Sequence, residues 1–225
     1  MECNMALMPA TQRYQVSHET TYDYSTMVSS GHHFAHLSPR DTEFQKVISH
    51  ALDVQPPPTE TSHIVDYYGN NSVRFLITRQ HEKLVVTANS IIDVTEKNFP
   101  DSLLKVPWET ALNKSLYTVE PNGVAEMRLS SPHVECLPQT REYAERFFTP
   151  GRPWLEAALD LTRHIREEFA YDTEATTIST PVAEVFLNKR GVCQDFANLM
   201  LSCLRSLKLP ARYVSGYILN EPPPG

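Results

Sequence analysis

The sequence predicts an α+β protein, with an N-terminal antiparallel β-domain followed by a helical region. Three observations carry that prediction. Polarity alternates with period two over residues 12–95, prolines interrupt all periodicity over 96–150, and apolar residues recur at steps of three and four after Pro153.

In the first stretch Tyr14, Val16, His18, Thr20, Tyr22 and Tyr24 share one parity, as do Ile48, His50, Leu52 and Val54, and again Leu84, Val86, Ala88, Ser90 and Ile92. That is the signature of half-buried strands. Gly69-Asn70-Asn71 supplies residues that tolerate positive φ between two such runs, which predicts a hairpin. Pro56-Pro57-Pro58 cannot donate ladder hydrogen bonds and marks a loop or sheet edge. Residues 96–150 read as a connecting region with short helices, one near 140–148.

From 151 to 225 three further elements are expected. Trp154, Ala158, Leu161, Ile165 and Phe169 line one face of a helix. Thr180-Pro181 offers a cap and a first-turn proline for a second helix, with Val182, Val185 and Phe186 behind it and Gly191 as its stop. A third helix starts close to Cys193, and Phe196, Ala197, Leu199, Met200, Cys203, Leu204 and Leu207 make it apolar nearly all round. Pro210 should close it, and 211–218 reads as a strand.

Composition narrows the function classes. At 225 residues the chain buries about 70–75% of its unfolded surface and needs no disulfide or metal to fold. A formal charge of −7, with Lys and Arg scattered, leaves no basic footprint for nucleic acid. No run approaches the roughly 20 apolar residues of a membrane helix, and residues 1–9 lack a basic segment followed by an apolar one, so a cytoplasmic, unprocessed protein is expected. The cysteines, Cys3, Cys136, Cys193 and Cys203, have no C-x-x-C spacing and do not resemble a secreted disulfide framework.

A reactive cysteine needs access and surroundings that favour thiolate over thiol. The start of a helix supplies the second, because its unpaired N–H groups and the positive end of the macrodipole favour an anion. The same groups could hold a developing oxyanion. In Gly191-Val192-Cys193-Gln194-Asp195 the acid two residues after the cysteine suits the first turn and reads as a helix-start residue. The pattern alone leaves Cys193 open between a nucleophile and a small packing cysteine, whereas Cys203, inside the apolar helix, reads as core.

RGVCQDFANLMLSCLRSLKLPARYVSGYI, residues 190–218, with TPVAEVFLNKR upstream, resembles the core of bacterial transglutaminase-like proteins. That superfamily holds transglutaminases, related cysteine proteases and peptide N-glycanases. RYQVSHETTYDYS, 13–25, and HLSPRDTEFQKVISHALDVQP, 36–56, are similar to the β-rich region that precedes this core in bacterial members. The resemblance implies a papain-like fold and divides the chain into a β-rich N-terminal domain over 12–95, a connector over 96–150 and part of the core over 151–225. It implies Cys193 as the nucleophile of acyl transfer on a peptide or protein amide, facing a histidine and an aspartate on neighbouring strands. Neither partner can be carried over: all nine histidines precede Cys193, and the family's histidine follows the strand expected from Ala211. Hydrolysis, as in a protease or amidase, is expected over crosslinking. The alternative is a non-enzymatic, protein-binding chain that lacks its base.

No cofactor or metal is expected. Animal transglutaminases use calcium, but no acidic loop here has the required spacing. His32 and His36 would share a helix face, yet their segment reads as strand or loop and nothing completes a ligand set. Asp172 and Glu174 read as a solvated turn without a basic neighbour, and His164 as a surface residue beside an apolar stripe. Tyr213 and Tyr217 are expected on one face of the last strand. The pattern gives no oligomeric state.

Overall fold

The computed structural model describes residues 10–97, 99–112, 123–177 and 179–219. Cys3 and Pro222-Pro223-Pro224 lie outside them. The chain divides into two compact units after residue 98.

The first unit holds β1 (Thr11–Val28), β2 (Gly31–Ala35), β3 (Gln45–Gln55), β4 (Glu60–Val65), β5 (Asn71–Ile77) and β6 (His81–Thr95). They form two antiparallel sheets, ordered β1-β6-β3 and β2-β5-β4. Period two explains which side chains are inside. On β6, Leu84, Val86, Ala88, Ser90 and Ile92 are all buried, and on β1 the even-numbered positions 14–20 are the partly covered ones. The core draws Val54 from β3, Val73, Phe75 and Ile77 from β5, and Leu84 and Val86 from β6, so both sheets close on the same apolar cluster. The expected hairpin is β4–β5. Its turn is held by Asp66, whose carboxylate accepts the backbone N–H groups of Tyr68 (2.9 Å) and Asn70 (2.8 Å), while Gly69 takes φ +77°.

The second unit carries α1 (Asp101–Leu104), a 3₁₀ turn (Trp108–Leu112), α2 (Gly123–Glu126), α3 (Pro138–Glu145), α4 (Trp154–Glu168), β7 (Ala170–Tyr171), α5 (Val182–Asn188), β8 (Arg190–Gly191) and α6 (Cys193–Ser206). Its core gathers Tyr143, Ala144, Phe147 and Phe148 around α3, Ala157, Leu161, Ile165 and Phe169 from α4, and Leu199 and Cys203 from α6. Three hydroxyls are buried within it. Thr140 lies 2.8 Å from Ser202 and 3.3 Å from Ser206 and donates to the Leu137 carbonyl, so these hydroxyls are satisfied where they join α3 to α6. No helix among the described residues is long and apolar enough to cross a membrane.

Several local expectations are corrected. Residues 211–219 form no strand, and Val214, Ile218 and Leu219 are largely exposed. Alternation says which side chains share a face but supplies no neighbour, and no described strand lies beside this segment. Gly191 does not end α5. Lys189 takes the left-handed position there at φ 55°, and buried Gly191 belongs to β8. Likewise α6 ends before Pro210, with Lys208 at φ 65°. Trp154, read with the core face of its helix, is 42% exposed at the first position of α4.

Candidate active site

Cys193 is the first residue of α6, and it is exposed. The backbone brings it there in two steps. β7 and β8 pair in parallel, with the Asp172 N–H donating to the Gly191 carbonyl (3.0 Å) and the Ala170 N–H to the Lys189 carbonyl (2.8 Å). Val192 then stays extended, at φ −111° and ψ 178°, and the helix begins.

Asp195 closes this start from the inside. It is only 4% exposed, and its Oδ2 accepts the Val192 N–H at 2.8 Å and the Thr176 hydroxyl at 2.6 Å. An acid at the third helical position that reaches back to the N–H of the capping residue is half of a capping box. The other half is missing because valine has no side-chain acceptor. The fold tolerates no side chain at Gly191: a Cβ there would sit 2.7 Å from Asp195 Oδ2 and 2.9 Å from its Cβ.

Lys189 fixes the turn before β8. Its ammonium lies 4.2 Å from the Phe169 ring centre, 4.4 Å from Phe186 and 5.1 Å from Tyr143, and 3.6 Å from Glu168. A cation over three rings holds the left-handed backbone that a lysine otherwise adopts reluctantly. Below the site the second cysteine of α6 is inert. Cys203 is 0% exposed, and burial pushes its thiol up to about 12.

The other candidates separate clearly. Cys136 is half-buried, its backbone N–H donating to the Ser130 hydroxyl (3.0 Å). His32 and His33 lie on β2, so the helical spacing of His32 and His36 does not exist, and His33 stacks on Phe75 with ring centres 4.9 Å apart. His164 lies 4.7 Å from the Phe147 ring, its Nδ1 3.0 Å from the Asp160 carbonyl oxygen, and is tied to its own helix. Asp172 does have a basic neighbour, with Arg190 Nη1 3.6 Å from its carboxylate. Tyr213 and Tyr217 are about half exposed on the irregular segment.

Thr176 and Lys189 were missed from sequence. Thr176 had a readable signal: a helix-start acid without a hydroxyl cap needs a donor, and the run from Asp172 to Thr180 holds three threonines besides Thr180 itself. Lys189 had none, since cation–ring contacts between separated elements leave no local pattern.

The geometry agrees with what the chain resembles. Residues 14–93 match the family described as the bacterial transglutaminase-like N-terminal region, and residues 141–223 match the transglutaminase-like superfamily. An uncharacterized protein of Mycobacterium tuberculosis is 40% identical over 222 residues, covering 97% of this chain and 69% of its own length. A second, from Mycobacterium leprae, is 29% identical over 206 residues, covering 92% of this chain and 71% of its own. Among solved structures, a chain described as "a Putative Cysteine Protease from Cytophaga hutchinsonii" superposes with a TM-score of 0.72 at 18% identity, over 91% of this chain and 66% of that one. This chain thus spans about two thirds of the proteins it matches. With the N-terminal β-region and the core matched in that order, the chain belongs to the bacterial transglutaminase-like superfamily.

Proposed function

We propose that this chain carries the nucleophile of a cysteine enzyme that cleaves amide bonds by acyl transfer to water, and that Cys193 is that nucleophile. The observation that supports this most is its position: an exposed thiol at the first residue of a 14-residue helix anchored in the core by Leu199 and Cys203. The Cys193 thiolate attacks the amide carbonyl carbon, and the C–N bond breaks as the leaving nitrogen takes a proton. A thioester remains on Sγ, and water then attacks it to release a carboxylic acid and restore the thiol. The N–H groups at the start of α6 are placed to receive charge that develops on the carbonyl oxygen.

The proton transfers need a base that is also an acid. Among the described residues no histidine is bonded to the thiol; in the second unit His164 is engaged by Asp160 and Phe147, and His133 stands in an exposed turn. We place the histidine and the aspartate in sequence that follows the 211–218 segment, as the family resemblance implies. Water is preferred as acceptor because the description of the Cytophaga hutchinsonii chain names a protease rather than a transferase.

An activated ester with added methylamine tests this reading. The product that depends on Cys193 should be the free acid, with methylamide a minor fraction. A methylamide majority overturns hydrolysis, and a product yield unchanged in Cys193→Ala overturns the nucleophile itself.

A further inference from the structure

Beside the start of α6 lies an open cavity of about 320 Å³, near the lower end of the size range of small-molecule sites. Its wall is mostly polar: Thr176, Thr180, Glu184, Asn188 and Arg190 line it, with Ala175 and Val185 as the apolar members. Two of its lining residues tie it to the start of α6. Arg190 stands three residues before Cys193, and Thr176 hydrogen-bonds Asp195, two residues after it.

The wall's charges are not balanced among themselves. Arg190 is paired with Asp172 at 3.6 Å, whereas Glu184 makes no ion pair among the described residues. The wall offers donors, from the Arg190 guanidinium and the Asn188 amide, and acceptors on α5 and the loop before it. The Thr176 proton is committed to Asp195 and leaves that oxygen's lone pairs, the Glu184 carboxylate offers two oxygens, and Asn188 lies one helical turn from Glu184 on the same face of α5. Thr180 differs, because its oxygen already accepts the Thr177 N–H at 2.8 Å. A wall whose one carboxylate has no ion pair among the described residues favours a ligand that brings positive charge. An apolar group would desolvate Glu184 and Asn188 without replacing their water.

Resting on the reading of Cys193 as the nucleophile, we propose that this cavity is a substrate subsite for a cationic side chain, a lysine or arginine of the peptide whose amide is cleaved. Glu184 is the specificity-determining residue, and Asn188 and Thr176 supply further acceptors.

The test is a titration of the isotopically labelled chain with a lysine tripeptide blocked at both ends, and with its norleucine counterpart, followed through backbone amide resonances. The lysine peptide should shift the amides of Thr176, Val185 and Asn188 and bind more tightly by up to about fivefold, the upper range for an exposed ion pair. Glu184→Gln should bring the ratio close to one. Glu184 is exposed, so the variant should keep the wild-type melting temperature. Equal binding of the two peptides, no saturable binding, shifts confined elsewhere, or a preference that survives Glu184→Gln each overturns the proposal. Binding does not require Cys193 to react, and iodoacetamide labelling of Cys193 in the same sample separates the two claims. Labelling without lysine preference ends the subsite alone, while lysine preference without labelling ends the nucleophile alone.

Discussion

Iodoacetamide at pH 8 should alkylate Cys193 at least about a hundredfold faster than Cys203. Cys193 is exposed at a helix start, and both routes to Cys203 are slow. While it stays 0% exposed its thiol, pushed up to about 12, offers only about one thiolate in ten thousand at that pH. Otherwise the reagent must wait for local opening of the core. Cys136, half-buried just before the start of α3, should fall between them. Peptide mapping by mass spectrometry after short exposures gives all three rates. Labelling of Cys203 ahead of Cys193 would mean that α6 is not seated as described.

Leu199→Ala should destabilise the second unit by about 3–5 kcal/mol, the upper part of the range for emptying a packed core position. Leu199 is 0% exposed at the centre of the cluster shared by α3, α4 and α6, and its neighbours are held by helix packing on several sides. The cavity cannot collapse without moving α6, and the Cys193 start moves with it. Both tryptophans, Trp108 and Trp154, lie in this unit, so the urea dependence of tryptophan fluorescence reports its unfolding separately from the β-sheets. A loss below about 1 kcal/mol would show that this cluster does not hold α6 in place.

Much of the fold could be read from the chain because burial imprints itself locally. The alternation through Leu84, Val86, Ala88, Ser90 and Ile92 gave the central strand β6, and the spacing of Leu161 and Ile165 gave the buried face of α4. The residues flanking Gly69 gave the β4–β5 hairpin. What failed depended on partners. The 211–218 segment has the pattern of a strand but no described strand beside it, and Lys189 holds a left-handed turn that glycine was expected to hold, because three rings and Glu168 secure its ammonium. At the site, a helix start close to Cys193 was legible from the chain, while the nucleophilic role proposed for it comes from the family resemblance. The Thr176–Asp195 hydrogen bond spans 19 residues and becomes visible only once the loop has folded back on α6.

A nucleophilic Cys193 accepts an acyl group from a carbonyl substrate, and acyl capture measures this most directly. A p-nitrophenyl ester is the right donor because its leaving group departs without needing a proton, so the thiol is tested separately from any base. After brief exposure of the chain to p-nitrophenyl acetate at neutral pH, digestion and mass spectrometry should find one acetyl group on Cys193. It should be held as a hydroxylamine-labile thioester and be absent from Cys193→Ala. Acetylation confined to Cys136 or to lysines, with total labelling unchanged in Cys193→Ala, would contradict a nucleophilic role for Cys193.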